Sequence, residues 1–213
     1  MVIWYQGKGV VAALPYLEES LALYEESGRA AHIAIVLNSL GIVKCYQRDY
    51  VAARSYLEES LRLMRMSPFQ LMVAYFLENL GVVALKQGQY QEAFRHLEES
   101  LKIELEKRDQ TGIPSNLVGQ AALLVELYSR GRLVCSRLLM RAAELCGVGS
   151  NLLKVTGARF DPLAQELYEE VVSIAQGELE EAAFKASFEE GQQRNWEEVA
   201  QELLKMSWSG LGE

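Results

Sequence analysis

Tyr16-Leu17-Glu18-Glu19-Ser20-Leu21 returns as Tyr56-Leu57-Glu58-Glu59-Ser60-Leu61 and again as His96-Leu97-Glu98-Glu99-Ser100-Leu101, two steps of 40 residues. Other positions keep the step: Leu40-Gly41 becomes Leu80-Gly81, Tyr50 becomes Tyr90, and Ala13, Ala53 and Ala93 form a third series. Self-similarity at one fixed period is the mark of a stacked-repeat architecture, in which each unit buries its apolar face against its neighbours.

Within one unit, Ala52, Ala53, Tyr56, Leu57, Ser60, Leu61 and Met64 recur at three-and-four spacing, with Arg54, Glu58, Glu59 and Arg62 opposite. That pattern predicts an amphipathic outer helix. The preceding segment, residues 30–47, is apolar on more of its circumference, as expected of an inner helix packed on two neighbours. Arg48-Asp49, Gly88-Gln89 and Gly131-Arg132 stand between inner and outer helices, where a short polar or glycine-containing pair closes one helix and opens the next. Gly41 and Gly81 fall mid-helix, where glycine costs about 1 kcal/mol relative to alanine. Ala53 and Ala93 lie twelve residues on, so a close crossing of the two backbones is the expected compensation.

These positions resemble the tetratricopeptide repeat, with its small residue in the first helix, aromatic before the second, alanine at the crossing and large apolar residue one turn later. Gly41, Tyr50, Ala53 and Leu57 match, as do Gly81, Tyr90, Ala93 and Leu97. The period is longer than the family's usual ~34 residues, and Leu37 and Leu77 replace the aromatic usual near the start of the first helix. The resemblance implies an all-α, right-handed superhelix of helix-turn-helix repeats. Units are expected at about 1–29, 30–69, 70–111 and 112–146, followed by a C-terminal helical cap over 147–213. The phrase Ala-x-x-x-Leu-Glu-Glu-Ser-Leu, and the tail with Arg137-Leu138-Leu139, Glu181-Ala182-Ala183-Phe184 and Trp196-Glu197-Glu198-Val199, further resemble the closing repeat arrays of bacterial LuxR-type and other signal-transducing ATPase regulators.

Met1 takes the position of Gly41, so the array is expected to enter mid-repeat, as a fragment or truncated reading frame lacking upstream repeats. Its apolar start, Val2, Ile3 and Trp4, is then expected to pair with another copy. A slip of about three residues before Gly131 predicts a longer third inner helix. Residues 147–157 read as a connector, and 161–176, 179–190 and 195–206 as helices of the cap, with Asn195 as an N-cap.

Half of the 213 residues are hydrophobic and 23% are charged, so a substantial core is affordable. The longest apolar stretches fall short of the ~20 residues that span a bilayer, no secretory leader pattern opens the chain, and a cytoplasmic location is expected. The formal net charge is −8; residues 161–213 carry 13 acids and 3 bases, leaving the rest nearly neutral. Direct nucleic-acid binding lacks its basic footprint. Cys45, Cys135 and Cys146 are too widely spaced for a disulfide framework or a metal site and read as reduced packing residues. Gly7-Lys8-Gly9-Val10-Val11-Ala12 has the form of a dinucleotide-binding turn without the strand that motif needs. His32 and His96 have no ligand spacing, the paired glutamates point ~100° apart on an outer face, and Ser20, Ser60 and Ser100 have no base to activate them. No cofactor, metal or catalysis is expected.

Two function classes remain. A protein-interaction scaffold would hold a protein or peptide on the concave inner-helix face, through Ile35, Asn38, Ile42 and Tyr46, then Tyr75, Glu78, Asn79, Val82 and Lys86, then Ser115, Val118, Ala122 and Glu126. The asparagine amides would bond a peptide backbone and the tyrosines would add apolar area. The alternative, which the resemblance to regulators implies, is sensing of a small-molecule inducer.

Overall fold

The computed structural model describes residues 7–131 and 136–208. Met1–Gln6, with the apolar start expected to self-associate, and Cys135 lie outside the described residues. Eleven helices and no strand are present among the described residues, an all-α array of helix hairpins. The outer helix α2 (Leu14–Glu26) is preceded by a short helix α1 (Gly7–Ala12), so the glycine-rich stretch with the form of a dinucleotide-binding turn is itself helical. Two full hairpins follow: α3 (Ala30–Tyr46) with α4 (Tyr50–Met64), and α5 (Gln70–Lys86) with α6 (Tyr90–Lys107). The third pairs α7 (Ile113–Ser129) with α8 (Ser136–Thr156).

The packing follows the sequence logic. A Cβ built on Gly41 would lie 2.6 Å from Leu57 Cγ and 3.3 Å from the Ala53 carbonyl oxygen, so α3 and α4 cross where only hydrogen fits. Leu57, Leu97, Phe76 and Leu77 are fully buried between hairpins. Ser60 and Ser100 are buried in the same interface; Ser60 donates to the Leu57 carbonyl oxygen at 2.9 Å and Ser100 to Glu78 at 3.2 Å, a packing role rather than a nucleophile's.

The three-residue slip is real but falls elsewhere than expected. Helices α3, α5 and α7 each have 17 residues, whereas α6 has 18 against 15 in α4. The extra residues lengthen the outer helix, not the third inner one. The reason is local: Pro68 follows α4 and disfavours helix in the residue before it, and Arg108 stands at the matching place after α6.

The cap also departs from expectation. Residues 147–156 are not a connector but the second half of α8, which runs unbroken to Thr156. Gly147 there faces α10 (Glu181–Gln193), which crosses α8 at backbone contact. A Cβ on Gly147 would sit 2.1 Å from the Phe188 carbonyl oxygen, and one on Gly191 would sit 2.0 Å from that of Glu144. Helix α9 (Pro162–Glu178) packs on α7 and α8, and α11 (Trp196–Lys205) reaches back to α6. Arg141, Glu144, Arg194 and Glu202 bind α8 to the turn before α11: Arg141 Nη1 and Arg194 Nη1 both lie 2.7 Å from Glu144 Oε1, and Glu202 accepts from both arginines.

Asn195 caps α11, its side-chain oxygen accepting from the N–H of Glu197 at 2.8 Å and of Glu198 at 3.2 Å. Asn195→Ala should cost about 1 kcal/mol, read as a melting temperature roughly 2–4 °C lower. No change in melting temperature would remove the cap's assigned role.

Candidate functional site

Inner helices α3, α5 and α7 lie side by side, and α9 packs along their face chiefly against α7. Asp161 starts α9 there, its carboxylate accepting from the N–H of Leu163 at 2.9 Å and of Ala164 at 3.0 Å, with Ser115 of α7 against the same carboxylate. Leu163 is buried among Ile42, Val73 and Phe76, while Leu167 and Val171 pack with residues of α7 and α8. Farther along, Lys86 Nζ meets Glu170 Oε2 at 2.5 Å and the Tyr128 hydroxyl donates to Glu178 at 3.2 Å. Helix α9 therefore runs along the inner face from α3 towards the C-terminal end of α7, as an amphipathic helix lies in a groove. The sequence placed this segment over the open end of the stack; it lies on the face that a ligand was expected to use.

Two concave spaces flank α9. The first, about 440 Å³, opens between the C-terminal ends of α3 and α5 and the flank of α9. Tyr46, Val82 and Lys86, all expected on the inner face, are brought together in its wall, joined by Cys45, Arg48 and Tyr50 and by Leu163, Glu166, Leu167 and Glu170. Burial, and after it the Glu166 carboxylate, push the Cys45 thiol up to about 12, so it stays protonated and unreactive. The same two causes raise the Tyr46 hydroxyl. Arg48 stands out by its backbone. It is left-handed at φ 59°, as Gly88 and Gly131 are in the other two inner-to-outer turns, a conformation that costs a side-chain-bearing residue roughly 1–2 kcal/mol.

The second space, about 280 Å³, lies beyond the start of α9, lined by Ile35, Asn38, Ser39, Ile42, Met72, Tyr75, Phe76 and Pro162. Ile35 remains 43% exposed. Asn38 and Asn79, expected to bond a peptide, are 3% and 2% exposed, and Asn79 Nδ2 donates to Asn38 Oδ1 at 3.1 Å. They satisfy each other across α3 and α5.

The remaining inner-face residues are in the interior or engaged. Val118 and Ala122 are buried in the core, Ser115 meets Asp161, and Glu126 accepts from the Tyr90 hydroxyl at 3.0 Å and lies 3.6 Å from Arg130 Nε. Glu78 is 5% exposed and faces Glu104, itself 1% exposed. Burial, with the neighbouring Glu104 charge next, raises Glu78 well above the ordinary carboxyl range, and burial pushes Glu104 up to about 8. Two carboxyls enclosed together cannot both ionise cheaply, so burial in the core of the second full hairpin favours the protonated form of this pair.

Sequence reasoning missed Arg48, Glu166 and Leu163. Arg48 had a signal, since it replaces the glycine of the other inner-to-outer turns. Leu163 and Glu166 had only the apolar spacing of α9, which marks a helix but not the surface it meets.

Among the described residues no helix is long and apolar enough to cross a membrane, and no group of three or more acidic, histidine or cysteine side chains is placed to hold a metal ion. Two family models match the chain, both described as the tetratricopeptide repeat, over residues 2–66 and 74–106. No curated protein matches it as a relative. Repeats of this kind generally mediate protein–protein interaction rather than catalysis. The hairpins α1–α6, with the close crossing at Gly41 and the period of 40, are thus similar to tetratricopeptide repeats over the matched residues 2–66 and 74–106.

Proposed function

We propose that the chain is a non-catalytic scaffold holding a peptide segment of a protein partner on its inner-helix face, at the stretch beside Pro162 that α9 leaves uncovered. The supporting observation is that this space is lined by Ile35, Ile42, Met72, Tyr75 and Phe76, and that the chain's own α9 already lies along the same face through Leu163. An apolar peptide segment continuing that line is the occupant. The setting proposed is the closing end of a regulatory repeat array of a bacterial signal-transducing protein, on the strength of the repeat wording alone.

Peptides selected from a displayed library against the full chain provide the test. Ile35→Asp places a charge at the rim of the space and should weaken selected peptides about tenfold or more, while leaving the melting temperature within ~2 °C of the parent. Peptides that bind Ile35→Asp as tightly as the parent protein would place the interaction elsewhere. A second reading, sensing of a small molecule, is favoured by a different feature, the charged cavity on the other side of Leu163.

A further inference from the structure

The cavity flanked by α3, α5 and α9 has a volume within the range of small-ligand sites. Val82, Val83, Leu163 and Leu167 contribute apolar groups to a lining that also carries the rings of Tyr46 and Tyr50 and several polar groups. Four charges surround it, and they are not equivalent. Lys86 and Glu170 neutralise each other across α5 and α9. Arg48 and Glu166 are both exposed, one from each wall, and neither forms an ion pair among the described residues. A lining with some apolar groups and with one cation and one anion left unmatched is complementary to a small molecule carrying an apolar body, a carboxylate and an ammonium group.

Arg48 carries a second, independent sign. The turn it occupies takes glycine in the two other hairpins, and its backbone is left-handed as theirs is. Nothing in the turn uses its side chain, for no hydrogen bond or ion pair of the guanidinium is present among the described residues. A strained backbone kept at a cavity mouth, with a guanidinium free to fork onto a carboxylate, is the pattern expected where strain serves binding. Glu166 acts on the same space, since its charge reaches both the Cys45 thiol and the Tyr46 hydroxyl. An ammonium group placed there would meet a carboxylate that has no other cation.

We infer that this cavity binds a free apolar α-amino acid, its carboxylate on Arg48, its ammonium on Glu166 and its side chain against Val82, Leu163 and Leu167. The inference rests on the sensing reading and is independent of the peptide groove.

The full chain would be examined by thermal shift and calorimetry with free leucine, methionine and phenylalanine, with their N-acetyl and C-amide derivatives, and with a parallel set of sugars, nucleotides and dicarboxylates. Stabilisation by at least one free amino acid is expected, with either capped derivative about tenfold or more weaker. Arg48→Gly restores the residue of the other turns, so it should melt no lower than the parent yet lose binding about tenfold or more; Glu166→Gln should weaken binding comparably, and Ile35→Asp should not. Binding unchanged in Arg48→Gly or Glu166→Gln would overturn the assignment. Stabilisation only by the parallel set would overturn the amino-acid class while leaving sensing intact, and stabilisation by no compound would overturn both.

Discussion

Gly191→Ala is expected to destabilise the protein by about 2 kcal/mol or more, against the usual sign of that substitution in a helix. In an exposed helix interior alanine is favoured over glycine by about 1 kcal/mol. Here the added Cβ would lie 2.0 Å from the Glu144 carbonyl oxygen and 3.0 Å from Glu144 Cα. These are backbone atoms of α8, held by the helix's own hydrogen bonds, and they cannot rotate aside as a side-chain end can. Helix α10 must back away, separating Gly147 from Phe188 and loosening the Arg194–Glu144 pair at 2.7 Å. Overpacking of this kind costs 1–3 kcal/mol or more, read as a melting temperature roughly 4–8 °C lower. Gly177→Ala supplies the contrast: that glycine is helical and exposed, with nothing within 4 Å of its would-be Cβ. It should gain a fraction of a kcal/mol. If both substitutions raise stability, the backbone contact between α8 and α10 does not exist in solution.

Glu104→Gln should stabilise the protein increasingly as pH rises. The folded-state carboxyls of Glu78 and Glu104 sit above the ordinary value of 4.5, Glu104 at about 8. Between those values the folded chain holds protons that the unfolded chain has released, so folding stability falls as pH rises through the window, by about 1.4 kcal/mol per unit for each proton. Below it both states are protonated and the pair costs nothing electrostatically. Glutamine keeps the shape and cannot ionise, which removes one of the two protons from this dependence. The advantage of Glu104→Gln should be close to zero near pH 4.5 and reach on the order of 5 kcal/mol above pH 8. Urea unfolding at three pH values measures it. A difference that is flat with pH, or that shrinks as pH rises, would show that the pair is solvated and ionised in the folded protein.

The hairpins were legible because their signals are local: the period of 40, the three-and-four spacing of α4 and α6, and glycine opposite Leu57 all report on contacts within or between adjacent helices. The inner face was harder to read. Helix α5 is buried from Val73 to Leu85 on nearly every side, so its apolar pattern has almost no phase, and Glu78 and Asn79 could be set on the groove when they lie inside. The buried positions of α9, Leu163, Ala164, Leu167, Val171 and Ala175, announce an amphipathic helix equally well on the end of the stack or along it. Its seat depends on Asp161 meeting Ser115 and Lys86 meeting Glu170, contacts between residues 46 and 84 positions apart that no short-range pattern encodes. The proline following α4 was visible too, but its effect on the length of α6 shows only when the two outer helices are laid side by side.

The seat of α9 makes the inner face a ruler. Pro162 stands at a fixed place on it, and past that point the face along α7 is taken by a helix tethered at both ends, through 157–161 and 179–180. A tethered segment competes at an effective concentration in the millimolar range, so on the proposed peptide-binding reading an incoming chain would be admitted as far as Pro162 and then halted. Extending a ligand beyond that stop gains nothing unless it can also expel α9. On the proposed peptide-binding reading, the array would discriminate by length as well as by chemistry, with the stop supplied by its own C-terminal segment.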